Sequence, residues 1–261
     1  MLTAKYKNKK IFASETKERK NYTCPYCNNI LRLVKPETGI VDHFRHKTKS
    51  DCSPEPETRE HHAGKQYLYD KLKEKYNTVI LEPTDFLKYG FKPDIFLIID
   101  NFKVVIEFQC SPITRKEIIA RTRSYTKYGM YTCWILGINK FDAAYGIDEV
   151  RSVRDMEKQL HQMYYGWVYY LSNSDLGSNL FCQKLGTFSR IKYANEYAIN
   201  HFGATDYEYF YKTKKIIKQQ CFINNLDFEL NFNRWNNSFF NIASFAKSSF
   251  VKDESGMDAW L

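Results

Sequence analysis

The sequence predicts an α/β chain: a mixed central sheet flanked by helices, with a small metal-stapled β module ahead of it and a mixed extension behind. Three observations predict this. A helical apolar face over 58–76 is followed by strand-like runs at 77–83, 94–100 and 102–109, a helix over 111–129 and an apolar strand over 132–138. Cys24 and Cys27 stand ahead of two histidines and a further cysteine in a lysine-rich segment. No apolar run approaches the ~20 residues that span a bilayer.

The chain has 261 residues, 43% of them hydrophobic and 16% aromatic, enough to bury a core in one large domain or two modest ones. The first residues are basic but lack the apolar region of a signal peptide, so the expectation is a soluble cytoplasmic protein with no membrane partner. Seven cysteines, an odd number with one close pair, argue against a secreted disulfide framework. Net charge is +9, and residues 1–56 hold 12 Lys/Arg against 6 Asp/Glu. Such a patch suits nucleic-acid phosphates as well as it suits solvent.

Residues 1–20 are expected to form a short strand pair, and 22–53 to carry the Cys/His cluster. Its spacing is C-x2-C-x15-H-x2-H-x5-C, through Cys24, Cys27, His43, His46 and Cys52. Two cysteines two residues apart grip one tetrahedral zinc from a tight turn, and two further ligands close a structural site. Such a metal replaces a core too small to fold alone. Four of the five residues are expected to bind, Cys24 and Cys27 among them. The other four cysteines are expected to be small core residues.

SPEPE (53–57) is expected to be a polar turn. Ala63, Tyr67, Leu68, Leu72 and Tyr76 then share one helix face. The junction at 100–101 joins two strands as a hairpin. Pro112 stands near the start of the next helix and Gly129 at its end. Beyond 140 a helix is expected over 148–165, then strands in YGWVYYLS and NLFCQKLG; the remainder carries no legible motif. The expected divisions are 1–56, 57–145 and 146–261.

FKPDIFLIIDNFKVVIEFQC (91–110) holds the chemistry. Asp94 opens one strand of the hairpin and Glu107 lies near the end of the other, so folding brings the carboxylates together. Period 2 puts Glu107 and Gln109 on one face and Phe108 on the other. A carboxylate in a buried strand is costly unless paired or metal-bound. Hard oxygen ligands suit Mg2+ or Mn2+, which orient water and offset phosphodiester charge. Glu57, His61 and Lys65 recur at i, i+4 and i+8 along one helix flank, and Arg121 and Tyr125 stand one turn apart downstream.

CPYC, HFRH, the E-x3-H-x3-K run of ETREHHAGK, KPDI, IEFQCSPI and RTRSYTKYGMYTCWIL, in this order over about residues 20–137, resemble the competence protein CoiA-like family. The resemblance implies a zinc-binding N-terminal module before a nuclease-like core of the PD-(D/E)xK superfamily, restriction-endonuclease-like in fold. It implies a part in DNA uptake and recombination, with single- or double-stranded DNA and recombination proteins as partners and no small-molecule cofactor. By the same resemblance Asp94 is the PD aspartate, Glu107 the second acid and Glu57 the acid of the first core helix, with His61 and Lys65 beside it. Arg121 and Tyr125 belong to the helix motif that follows. Gln109 replaces the superfamily lysine, and Lys65 is the candidate to supply the missing charge. Two functions stay open: a Mg2+- or Mn2+-dependent DNA nuclease, and a non-catalytic DNA-binding or partner-recruiting protein on that scaffold.

Overall fold

The computed structural model describes residues 1–17, 20–36, 41–48, 52, 57–99, 101–141, 150–164, 166–174, 177–185, 189–199 and 205–223. Five short strands form an antiparallel sheet in the order β2-β1-β3-β4-β5: β1 (Thr3–Tyr6), β2 (Lys9–Phe12), β3 (Tyr22–Thr23), β4 (Ile30–Val34) and β5 (His43–His46). Its small core is Ala4, Tyr22, Leu31 and Phe44. The expected turn residues 53–56 lie outside the described residues.

Helix α1 (Arg59–Lys73) starts where Thr58 accepts a hydrogen bond from the His61 amide, 3.1 Å, as an N-cap. Strands β6 (Val79–Leu81), β7 (Ile95–Ile99) and β8 (Phe102–Gln109) follow as an antiparallel run. Asn101 turns the β7–β8 hairpin with φ +69°, the left-handed region that Asn tolerates; Asp100 lies outside the described residues. Helix α2 (Arg115–Lys127) is capped by Thr114 and ends at Gly129, φ +71°. It returns the chain to β9 (Met130–Gly137), parallel to β8, as a helical crossover requires.

The expected helix over 148–165 divides. Val150–Ser152 is strand β10, and α3 (Asp155–Met163) begins only after Arg154, whose backbone N–H donates to the Glu157 carboxylate, 2.8 Å. β10 pairs with β14 (Thr205–Ile223), so a partner more than fifty residues downstream overrides local helical periodicity. β11 (Trp167–Ser174) lies parallel to β9. β12 (Gly177–Leu185) and β14 extend the same sheet, with β13 (Ser189–Ile199) paired to β14. The nine-stranded mixed sheet therefore runs across residue 145, through the part of the sequence that carried no motif.

The larger core joins Leu68 and Leu72 of α1 to Ile95, Leu97, Val104, Ile106, Phe108 and Ile135, and Leu2, just ahead of β1, inserts into it. Each such side chain contributes about 1.5–3 kcal/mol on burial. The opposite face packs Val105, Phe91 and Phe96 against Tyr125 of α2. Cys110 and Cys133 are buried in the larger core. No described helix is long and apolar enough to cross a membrane.

Candidate functional site

The Cys/His cluster closes on four residues. Cys24, Cys27, His46 and Cys52 bring one ligand atom each within 4.8 Å of the others. Cys24 Sγ lies 3.7 Å from Cys52 Sγ, and His46 Nε2 lies 3.4 Å from Cys27 Sγ and 3.5 Å from Cys52 Sγ. Tetrahedral zinc, with bonds of ~2.3 Å to sulfur and ~2.0 Å to nitrogen, sets edges of about 3.8 Å and 3.5 Å. A disulfide would need ~2.05 Å. The set fits zinc. The Tyr26 amide donates to Cys24 Sγ, 3.4 Å, and burial pushes that thiol up to about 12, so a thiolate there calls for a cation.

His43 is the residue left out. Its ring stacks on His62, centroids 4.5 Å apart, and Nδ1 donates to the Val41 carbonyl, 3.0 Å. The reason is the strand period: His43 and His46 are three residues apart on β5 and face opposite ways. His46 shares the face of buried Phe44; His43 looks towards α1.

A second group forms where α1 meets the ends of β6 and β7. Lys65, 1% exposed, sends its ammonium into three carboxylates: Glu57 Oε1 and Glu82 Oε1 at 2.7 Å each and Asp94 Oδ1 at 3.6 Å. His61 bridges the same acids, with Nδ1 3.5 Å from Glu57 and Nε2 3.3 Å from Asp94. Asp94 Oδ2 also accepts from the Phe108 amide, 3.0 Å. Close approach of α1 to the sheet makes this possible: a Cβ on Gly64 would stand 2.1 Å from the Phe108 ring, and that ring stacks under His61.

The charges support one another. Burial alone would raise the acids, but Lys65 holds Glu57 well below the carboxylate range and lowers Glu82. Asp94 is lowered by His61 and then Lys65. Burial would lower Lys65, yet Glu57, Glu82 and Asp94 lift it well above its usual value. His61 is raised in spite of burial because Asp94 outweighs it. Burial takes His62 to about 4, so it is neutral beside Glu57, 2.7 Å away. Glu57, His61 and Asp94 place one ligand atom each within 4.8 Å of one another. Two carboxylates and an imidazole fit a small divalent cation, and the imidazole shifts preference from Mg2+ towards Mn2+.

Glu107 does not join this group. It faces α2, 1% exposed, where Arg121 Nη2 lies 2.5 Å from Oε2 and the Tyr125 hydroxyl donates to Oε1. Burial pushes Glu107 up to about 7 even with Arg121 beside it. Gln109 shares its face, and its amide donates to the Ser111 carbonyl, 2.7 Å. Thus β8 divides the sequence-predicted residues: Glu57, His61, Lys65 and Asp94 gather at α1, while Glu107, Arg121 and Tyr125 gather at α2. A cavity opens on each side. One of about 710 Å3 is lined by Glu57, Lys65, Asp94, His46 and Cys52; one of about 1210 Å3 is lined by Gln109, Arg115, Arg121 and Arg154.

The family model for the nuclease-like domain of competence protein CoiA matches residues 57–220, from the acid ahead of α1 into β14. The chain belongs to the CoiA nuclease-like family. Competence protein CoiA of Bacillus subtilis (strain 168) is 31% identical over 125 residues, which span 47% of this chain and 33% of that protein. The chain thus matches about a third of its relative's length. No solved structure matches.

Two residues of the CoiA-like α1 site escaped sequence reasoning. Glu82, 3% exposed, accepts from the amides of Leu2 and Thr3, 2.9 Å each, and from the Thr3 hydroxyl, 2.7 Å, as well as from Lys65. It ties β1 to the site and takes φ +45°, a strained setting for a residue with a Cβ. The signal was available: Glu82 follows Val-Ile-Leu just as Glu107 follows Val-Val-Ile, and the burial argument applied to one applies to the other. His62 had no such signal, because its partner His43 belongs to the other sheet.

Proposed function

We propose that this protein is a metal-dependent DNA nuclease that serves processing or recombination of DNA, as in natural competence. The observation that carries this reading is the convergence of Glu57, His61 and Asp94 on one point beside a buried lysine, at the wall of an open cavity. A divalent cation held by those three residues would supply Lewis-acid charge to a scissile phosphate. In this reading Lys65 provides the positive charge that Gln109 lacks, and Glu82 fixes the Lys65 ammonium. Glu107 aims Arg121 towards the neighbouring cavity. Residues 1–56 act as a zinc-stapled basic module, 57–145 as the nuclease-like core and 146–261 as its extension. Zinc thiolates of this kind favour a reducing compartment, the cytoplasm.

A specific observation favours a second reading, a DNA-binding protein without catalysis. Lys65 already contacts three acids, which leaves a divalent cation to compete with a built-in ammonium. The test is incubation of labelled single- and double-stranded DNA with no divalent ion, Mg2+ or Mn2+. Omission is used instead of chelation, so that the thiolate site keeps its zinc. Cutting that requires Mn2+ or Mg2+ and is lost in Asp94→Asn is the expected result. Binding without cutting under every condition would decide for the second reading.

A further inference from the structure

The cavity beside Lys65 is walled on one side by the N-terminal sheet, and that wall is cationic. Arg32, Arg45, Lys47 and Lys92 line the same cavity as Glu57, Glu82 and Asp94. Arg32 and Arg45 are direct cross-strand partners in the β4–β5 ladder, and both are exposed. Like charges set opposite one another destabilise a sheet. Neither guanidinium is in an ion pair among the described residues. The face they occupy is the one that carries His43, about 7 Å along β5 from Arg45 by strand period. His43 stacks on His62 of α1, less than one turn before Lys65. The arginine pair therefore stands on the approach to the acid group, not on a remote edge. Lys92 ties the two parts together: it precedes Pro93 and Asp94, and its ammonium donates to the carbonyl of Cys52, 2.8 Å, a residue of the zinc set.

We infer that this wall is a nucleic-acid backbone track, in which Arg32 and Arg45 clamp adjacent phosphates of a DNA strand and deliver it to the acid group. The inference rests on the proposed action on DNA and assigns the N-terminal module a part in substrate binding, beyond its own folding. An anion between the guanidiniums relieves their repulsion, and a positive rim offsets the field of three carboxylates that would otherwise repel a phosphodiester. Fixed zinc coordination holds the ladder and hence the spacing of the two arginines.

The experiment is fluorescence anisotropy of a labelled single-stranded deoxyoligonucleotide with the full-length protein, without added Mg2+ or Mn2+, over a salt series. The double variant Arg32→Ala/Arg45→Ala is compared with Lys7→Ala/Lys9→Ala. The second removes the same charge from the β1–β2 turn, at the far edge of the sheet order. Zinc content and melting temperature establish that both variants keep the fold. The arginine variant is expected to bind on the order of tenfold more weakly at ~0.1 M salt. Its slope of log K against log salt should flatten by about 1.4, two phosphate contacts at ~0.7 each. The lysine variant should stay close to wild type. Equal losses in the two variants, or no change in the arginine variant, would overturn the track while leaving the nuclease reading standing. Failure of the wild-type protein to bind the oligonucleotide would overturn the track alone, since the nuclease reading is decided by cutting with Mg2+ or Mn2+.

Discussion

Replacing Lys65 by Met takes away the ammonium that reaches Glu57, Glu82 and Asp94 together, and leaves the Met1 ammonium, 2.9 Å from Glu57, behind. At 2.7 Å and an effective dielectric of about 20, each of the two close pairs carries a gross attraction of about 6 kcal/mol, largely offset by the desolvation of the partners. The net loss on removing one member of a buried ion group is about 3–5 kcal/mol, because the stranded charges remain. The pH dependence gives the sign. In the wild type all three acids titrate below their ordinary values. Their stabilisation is therefore present above the unfolded carboxylate pKa of about 4 and lost as pH falls through the folded values. Without Lys65 less charge opposes burial, although the Met1 ammonium and His61 remain, and the acids titrate higher than in the wild type, so the variant suffers most at neutral pH and least in acid. Urea denaturation of both proteins at pH 7 and pH 5 measures this. The expected difference is about 3–5 kcal/mol at pH 7 and clearly smaller at pH 5. A difference under ~1 kcal/mol, or one independent of pH, would refute the account of Lys65 as the internal counter-charge. Mn2+ should restore part of the stability, since a cation bound only by the folded form stabilises by about 2.7 kcal/mol at a hundred times its Kd.

Three other outcomes follow from the geometry. Cys27→Ser should release zinc and melt the N-terminal sheet, while His43→Ala should keep one equivalent of zinc, measured by metal analysis; zinc loss in His43→Ala would contradict the four-residue set. Gly64→Ala should cost about 1–3 kcal/mol in urea, because the added methyl meets the Phe108 ring and forces α1 off the sheet. Glu107 has its folded pKa pushed up to about 7, so the unfolded chain gives up that proton first, and wild-type stability should fall as pH rises from about 4.3 to 7. Glu107→Gln should remove that slope, on the order of 3 kcal/mol over the window, and calorimetry at several pH values reads it directly; an unchanged slope would mean that another group titrates there.

The elements from α1 to β9 were legible because each is a local pattern. The apolar face of Leu68 and Leu72, the apolar run that encloses Glu107 and the Asn101 turn are all written within a few residues. CxxC spacing named Cys24 and Cys27 for the same reason. What the sequence left open depended on partners far away in the chain. Val150–Ser152 became a strand because β14 offers it an edge. His46 and not His43 turned towards the cysteines because β5 pairs with β4 in one register, which fixes the buried face. Asp94 and Glu107 sit at matching ends of one hairpin, so the sequence placed them side by side. It could not say that α1, lying close over Gly64, would draw Asp94 to its own flank, nor that α2 would answer Glu107 with Arg121 and Tyr125. Sequence determines which residues carry charge and which side of a strand they share. Only the packing of helices on the two faces of the sheet decides which charges meet.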